Sequence, residues 1–484
     1  MIRLRGAGRA GVVLLVALLG VLGVPSRASA HGALRSSEPA AGAHLSTAPR
    51  ELRLTFTEAV EIAVARLELL GPDSAAVALS PLRRGDSATV VVADVRGPLV
   101  AGSYTVAWQV VGRDGHPVRG RFRFTIAPGA AGLGVVADSV PAGADSVPAG
   151  GTVPIAPPAG HHDPVTMPSG GEFGAESPLF AAVRWWSFAA TLGLVGAVGF
   201  GLAVLPMAVR ARVLPVAVGD DAGASLRTVG LLAAAALLAA AGLRLVAQSV
   251  AMHGRADAFD AGLVSTMVGQ TLWGRAWILQ LAAALLALAG FLLLRRGRGA
   301  GWAPATLAAI AAAVSASLSG HAAAVPGSAT LAVANDAVHV LAAGGWLGTL
   351  LALVAVGLPS VLRAAPGERG TAASALVEAF SPIALACAAV VALTGAVSAW
   401  LHLGTVDALL TSTYGRTLLV KLAVVSLVAV TGAYNWRRVR PSIAAEGGAR
   451  RLRRSSVAEL AIGVVVLVVT AVLVATPTPM DGMN

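Results

Sequence analysis

Eight apolar stretches follow one another along the second part of the chain, and they limit its fold more than any other feature. Each is close to the ~20 residues that a helix needs to cross the hydrocarbon core of a bilayer. With 56% hydrophobic and only 13% charged residues, the chain is not a disordered protein. We therefore predict an all-α polytopic bundle of eight membrane helices over 177–476, followed by a short tail, 477–484. The stretches are 179–205, 226–248, 272–294, 303–320, 331–357, 376–402, 417–436 and 457–476.

The arginines indicate the direction in which these helices cross the membrane. Fourteen arginines lie in the loops 206–225, 295–302, 358–375 and 437–456, whereas the alternate loops and the tail contain only Arg255 and Arg416. Loops rich in basic residues stay in the cytoplasm. The arginine-poor loops and the C-terminus are therefore predicted to lie outside, and the net charge of +11 needs no nucleic-acid partner.

The N-terminus resembles a secretory signal peptide over residues 1–30. Three arginines precede an apolar run, and Ala28-Ser29-Ala30 supplies the small residues that a signal peptidase requires. Cleavage after Ala30 makes His31 the first residue of the mature chain. The α-amine and ring nitrogen of an N-terminal histidine chelate one metal ion, an arrangement that suits Cu(II).

Strand patterns follow the predicted signal. Apolar and polar residues alternate over 52–56, 104–110 and 122–126, and further strands are expected at 61–70 and 88–95. We predict an all-β Greek-key sandwich over 31–128. The next segment, 129–176, contains tandem heptads rich in proline and glycine, which predict a flexible linker to the bundle.

A candidate metal site lies between two of these strands. Asp114 and His116, two residues apart, point to one side of an extended segment. Such a sequence is ordinarily just a turn, but a mature N-terminus at His31 favours a shared metal site.

The N-terminal region resembles the periplasmic copper-binding CopC family over essentially all of 31–128. The motifs that carry the resemblance are His31-Gly32-Ala33-Leu34, Leu54-Thr55-Phe56-Thr57-Glu58 and Asp114-Gly115-His116-Pro117-Val118. This resemblance implies a Cu(II) site of the histidine-brace type, with His31, Asp114 and His116 as ligands. It also implies that Glu58 lies beside them, where a carboxylate orients an imidazole.

All nine histidines fall on the predicted outer side or in the outer half of a span. The histidines of the bundle lie near the ends of predicted spans. Asp336 and His339 lie one helical turn apart. Ionisable pairs in lipid are costly and are functional candidates by default. Thioethers such as that of Met252 prefer Cu(I). The candidate membrane copper site therefore comprises Met252, His253, His321, Asp336, His339 and His402.

Other charged residues within the spans are further candidates. Arg184, Arg244, Arg275 and Lys421 lie within two turns of an outer end, close enough for their side chains to reach the interface. Glu459 lies near the cytoplasmic start of the last span, where it could belong to an exit or proton path. Alternatively, its negative charge offsets the dipole at the N-terminus of that helix.

The bundle resembles the CopD family of copper-resistance membrane proteins over 177–476. The motifs are Ser319-Gly320-His321-Ala322, Asp336 with His339, Gly345-Trp346-Leu347-Gly348, Tyr414-Gly415-Arg416 with Lys421, and Glu459. The two resemblances together imply a CopC–CopD fusion protein of copper uptake or copper tolerance.

The leading hypothesis is a bacterial cytoplasmic-membrane protein, not an enzyme, whose outer domain captures Cu(II). Copper then passes to a His/Met site in the bundle, and the family implies inward movement. Copper ions and the lipid bilayer are the expected partners. Two alternatives remain open: a haem-binding electron-transfer protein, because histidines on different helices lie at one depth, and a copper buffer or sensor without transport.

Overall fold

The computed structural model describes residues 34–131, 177–211, 214–325, 327–443, 447–476 and residue 478. The predicted signal segment, His31 and most of the predicted linker lie outside these residues. Within them, a β-sandwich precedes a helical bundle, which confirms the predicted fold class.

The sandwich consists of two facing sheets. One has four strands in the order β1-β3-β7-β6, and the other has five in the order β2-β9-β8-β4-β5. The strands are β1 Leu34–Glu38, β2 His44–Thr47, β3 Glu51–Phe56, β4 Arg66–Leu70, β5 Ala76–Val77, β6 Arg83–Arg84, β7 Val90–Asp94, β8 Gly102–Val111 and β9 Pro117–Ala131.

Alternation along the strands produces the sandwich core, as the sequence predicts. Inward residues of β3, including Phe56, meet inward residues of β8 and β9 such as Trp108 and Phe124. Phe56 and Trp108 pack edge to face with their ring centroids 5.1 Å apart. Trp108 lies opposite Gly120 in the β8–β9 register, where a Cβ would come within 2.3 Å of the indole. Glycine is therefore required beside this ring.

In the part of the chain that the structure describes, eight helices are long and apolar enough to cross a membrane. Several are continued by short π-helical or 3-10 turns, and they extend beyond the predicted apolar stretches. They are α1 Pro178–Arg210, α2 Val216–Asp257, α3 Leu272–Arg295, α4 Gly299–Leu318, α5 Ala329–Arg363, α6 Arg369–Leu403, α7 Thr413–Ser442 and α8 Gly448–Leu473.

Small residues allow the helices to approach closely. A Cβ at Gly196 of α1 would lie 2.0 Å from the backbone of Gly348 in α5. A Cβ at Gly230 of α2 would lie 2.1 Å from the ring of Phe291 in α3. Contacts between small residues of this kind are typical of membrane bundles, in which packing rather than the hydrophobic effect holds helices together.

The turn between β8 and β9 positions the sandwich against the bundle. Because the two strands pair from Gly102↔Ile126 to Val111↔Pro117, residues 112–116 form a protruding connection. This connection contacts the ends of α1, α2 and α3, which are termed here the sandwich-facing end of the bundle. Asp114 and His116, the predicted ligands, lie on this connection.

Candidate metal centre at the domain interface

The β8–β9 turn fixes the geometry of Asp114 and His116. Asp114 Oδ1 accepts a hydrogen bond from the backbone N of His116 at 3.0 Å, and its Oδ2 lies 2.6 Å from His116 Nδ1. Both residues are buried, with Asp114 only 2% exposed. A Cβ at Gly112 would lie 2.8 Å from both Asp114 Oδ1 and Glu58 Oε1, so the two carboxylates flank this glycine. The structure thus brings Glu58 beside the predicted ligand pair.

Arg184 of α1 contacts the other nitrogen of the His116 ring. Its Nη2 lies 2.9 Å from His116 Nε2, and its guanidinium lies over the ring of Phe180, 4.5 Å from the centroid. A guanidinium only donates, so His116 Nε2 accepts this hydrogen bond. Sequence reasoning placed the Arg184 side chain at the membrane interface. The structure instead buries it against His116.

Further polar contacts hold the sandwich on α2. Gln248 Nε2 donates to the Gly115 carbonyl at 2.5 Å, and Gln109 Nε2 donates to the Met252 carbonyl at 2.8 Å. Arg119 Nη2 donates to the same Met252 carbonyl at 3.1 Å. Partial burial, followed by repulsion from Arg66, lowers the pKa of the Arg119 guanidinium below its usual range.

An apolar contact supports these hydrogen bonds. Val111 of the sandwich packs in one cluster with Met252, Met267 and Trp273 of the bundle. Gly115 has φ +87°, and a Cβ there would lie 2.6 Å from Trp273 Cδ1. The turn therefore approaches the start of α3 closely because residue 115 has no side chain. Met252, a predicted thioether ligand, places its side chain in this cluster.

Aromatic rings continue the site from the sandwich into the bundle. The ring of His321, just beyond α4, stacks on His116 with centroids 5.8 Å apart. The ring centroid of His402 in α6 lies 6.2 Å from that of His321. The ring centroid of Tyr414 in α7 lies 6.4 Å from that of His321 and 6.1 Å from that of His402. Ligand atoms of Asp114, His116 and His321 all lie within 4.8 Å of one another. The structure thus brings these predicted residues together across the interface.

Hydrogen bonds hold His402 and the helix end that precedes His321. His402 Nδ1 lies 2.7 Å from the Ser398 carbonyl oxygen and donates to it. Arg244 Nη2 donates to Ser319 Oγ at 2.8 Å, and its other terminal nitrogen binds the Gln280 side chain. These bonds hold the end of α4 that leads into His321.

Asp336, His339 and Lys421 lie deeper in the bundle. His339 Nδ1 is 2.8 Å from Thr394 Oγ1 of α6. Asp336 interacts electrostatically with His339 and Lys421, and also with Tyr414. Both His339 and Asp336 belong to α5, and their spacing places them on one face, as predicted.

The remaining predicted residues lie elsewhere. His253 Nδ1 is 3.2 Å from Ser249 Oγ within the last turns of α2. Glu459 of α8 is buried towards the opposite end of the bundle, where Asn435 Nδ2 donates to its Oε2 at 2.9 Å. Sequence reasoning did not assign Arg184 or Gln248 to the site. The only available signal was that both are polar residues at the end of an apolar stretch.

Comparison with known families matches three segments of the chain. The CopC domain matches residues 34–127, and the Copper resistance protein D-like N-terminal domain matches residues 175–331. The Copper resistance protein D family matches residues 374–473.

Individual relatives agree with these matches. The copper transport protein CutJ of Bacillus subtilis (strain 168) is 26% identical over 480 residues, which cover 96% of this chain and 77% of CutJ. Copper resistance protein C of Escherichia coli is 34% identical over 116 residues, covering 22% of this chain and 89% of that protein. The crystal structure of PcoC, a methionine-rich copper resistance protein from Escherichia coli, is 33% identical, with a TM-score of 0.19. It covers 20% of this chain and 99% of PcoC.

Proposed function

Because this chain belongs to the copper resistance proteins that join a CopC domain to a CopD membrane domain, we propose that its sandwich captures Cu(II) outside the cytoplasm and delivers copper inward through the bundle. In this proposal, residues 1–30 are removed as a signal peptide and 31–128 form the capture domain. Residues 129–176 tether it to the membrane domain 177–476. The sandwich and the C-terminal tail 477–484 lie outside the cytoplasm.

One observation carries the proposal. The predicted copper ligands Asp114 and His116 do not face away from the bundle but lie buried against it, next to His321. A domain that only stored copper would gain nothing from burying its ligands against a second set of imidazoles. This juxtaposition favours delivery over a buffer or sensor.

The proposed capture site uses nitrogen and oxygen ligands. The α-amine and imidazole of His31, the imidazole of His116 and a carboxylate oxygen of Asp114 would bind Cu(II), whose tetragonal preference they suit. Glu58, next to Asp114 across Gly112, would orient the ligands by hydrogen bonding or charge.

The proposed path continues inward from this site. Copper would move from His321 to His402, past Tyr414, and then to Asp336 and His339. Lys421 beside Asp336 would balance the carboxylate charge when no copper is present. Glu459, towards the cytoplasmic end, would serve the exit. We leave His253 and Met252 out of this path because one is hydrogen-bonded to Ser249 and the other packs at the domain contact.

Copper measurement in cells tests the proposal. Cells that express the full chain, His116→Ala, His339→Ala or the control His44→Ala are compared with an empty vector, and cytosolic copper is measured separately from periplasmic copper. His44 is an exposed sandwich histidine on β2, outside the site. We expect a rise in cytosolic copper that His44→Ala keeps and the other two variants lose.

Two results would contradict the proposal. One is cytosolic copper no higher than with the empty vector. The other is a rise that survives both His116→Ala and His339→Ala. A Soret band in the purified protein that disappears in His339→Ala, with unchanged copper, would identify a haem protein instead.

A further inference from the structure

The sandwich and the bundle together supply one set of metal ligands. Asp114 and His116 come from the β8–β9 turn, and His321 comes from the segment after α4, more than 200 residues later in the chain. Their ligand atoms lie within 4.8 Å of one another, and all three residues are buried. Ligand atoms around a single transition-metal ion lie at most about 4 Å apart, because each is ~2 Å from the ion, so a shift of about 1 Å lets these three share one ion.

We infer that Asp114, His116 and His321 form one copper site shared by the two domains, at which copper passes from the sandwich to the bundle. This inference rests on the proposed function and extends it by naming the first acceptor. Because His321 binds the ion before Asp114 and His116 release it, copper passes from the sandwich to the bundle by ligand exchange. The ion is never stripped of ligands in the low-dielectric interface, where an unpaired charge is costly.

The ligand set explains how the site favours transfer over storage. Two imidazoles and one carboxylate bind a divalent copper ion well. Loss of the carboxylate as the ion moves towards His321 and His402 leaves mainly nitrogen ligands. His402, whose Nδ1 donates to the Ser398 carbonyl, is the next imidazole beyond His321, with the two ring centroids 6.2 Å apart.

Arg184 is the residue that replaces copper at His116. Its Nη2 lies 2.9 Å from His116 Nε2. One nitrogen lone pair cannot serve a guanidinium and a metal ion at once, and the two cations repel each other. Contact of Arg184 with His116 Nε2 and binding of copper to that nitrogen therefore exclude each other. Arg184 acts as a positioning residue that opposes return of the ion to the sandwich.

Cu(II) binding to the purified full chain tests the shared site. The parent, His321→Ala, His116→Ala and the double variant are titrated with Cu(II) against a competing chelator. Pulsed electron paramagnetic resonance at one equivalent of Cu(II) counts the coordinated imidazoles. His253→Ala is the matched control, because His253 lies at the same end of the bundle and is hydrogen-bonded to Ser249. His321→Gln guards against a folding defect specific to alanine.

We expect His321→Ala and His321→Gln to weaken Cu(II) binding on the order of 10- to 100-fold, since even residues that only orient a ligand have effects of this size. Each variant should also lose one imidazole from the spectrum. In the His116→Ala background, loss of His321 should have little further effect. His253→Ala should behave as the parent.

Two outcomes would overturn the shared site. In one, His321→Ala keeps the parent affinity and imidazole count. In the other, two copper ions bind and the effects of the His116 and His321 substitutions are additive. Either result leaves the proposed function intact if His116→Ala still abolishes cytosolic copper. If binding behaves as expected but the parent accumulates no copper, the shared site stands and transport is wrong.

Arg184→Met provides a second readout that a purely structural role would not change. Without the guanidinium, the full chain should bind Cu(II) more tightly and release it to a chelator more slowly than the parent. Arg184→Lys keeps the charge and should retain part of the parent release rate. Slower release in both variants alike would mean that charge has no role. Parent-like release from Arg184→Met would remove Arg184 from the transfer step.

Discussion

Arg119 gives the clearest test of how the sandwich is held on the bundle. Its Nη2 donates to the carbonyls of Ala251 and Met252 at 3.3 and 3.1 Å, and its Nε donates to Gln109 Oε1 at 2.7 Å. Hydrogen bonds from a charged donor contribute about 1.5–3 kcal/mol when buried. Because this side chain is only partly buried, we expect Arg119→Met to weaken docking by about 1–2 kcal/mol.

Hydrogen exchange of the full chain measures this loss. A change of about 1–2 kcal/mol corresponds to roughly a 5- to 30-fold shift in the docking equilibrium. Peptides that cover residues 112–117 and 270–275 should therefore exchange faster by that factor. The second peptide contains the Leu272 amide, which donates across the interface to Glu61 Oε1 at 3.2 Å. Strand β7, in the other sheet, should remain unchanged and shows that the sandwich is folded.

Arg123→Met is the matched control for this experiment. Arg123 lies four residues further along β9, on the same face and exposed, and no hydrogen bond joins its side chain to the described part of the bundle. Equal exchange rates in Arg119→Met and the parent would refute the argument that these hydrogen bonds hold the domains together. Equal acceleration in both variants would point to a general loss of positive charge.

Two further predictions concern glycines at close contacts. Gly115→Ala should accelerate hydrogen exchange of the same peptides on the order of 10-fold or more, because its Cβ would lie 2.6 Å from Trp273 Cδ1 and its φ is +87°. An unchanged exchange rate would show that the interface accommodates the added methyl group without loss of docking. Gly196→Ala should lower the melting temperature in detergent by the equivalent of about 1–3 kcal/mol, because the Gly348 backbone lies 2.0 Å from the new Cβ. Gly242→Ala, in open space, is its control and should melt with the parent; equal melting of all three proteins would contradict the close contact.

Elements with a strong hydrophobic pattern could be predicted from the sequence. The strands around Leu54 and Trp108 have one buried face, which leaves a period of two, and the spans have the length that a bilayer imposes. The residues at which helices and strands begin and end were harder to predict. The second span was predicted over 226–248 but extends over Val216–Asp257, with a kink at Gly254, because flanking residues that are less apolar also adopt helical geometry. The strand expected at 61–70 begins only at Arg66, after a 3-10 turn at Ile62–Val64.

The candidate site could be predicted only in its local part. Asp114 and His116 are only two residues apart, so the sequence predicts their proximity, although a turn and not the expected extended segment brings them together. Their contact with Arg184 and His321 depends on how two folded surfaces fit together, which no periodicity records. The sequence gives one indication for Arg184, because burying a charged side chain within a membrane span costs free energy unless a partner compensates the charge. The sequence does not reveal that this partner is His116.

Burial of the interface sets a kinetic condition on the cycle. Asp114 is 2% exposed, and His116 and His321 are each 8% exposed, so solvent barely reaches them while the sandwich is docked. In the proposed transport, reloading from outside therefore requires the sandwich to separate from the bundle and dock again in every turnover. Domain motions of this kind take microseconds to milliseconds. At saturating copper, the turnover number should then follow the opening frequency of the interface and no longer depend on the external metal concentration.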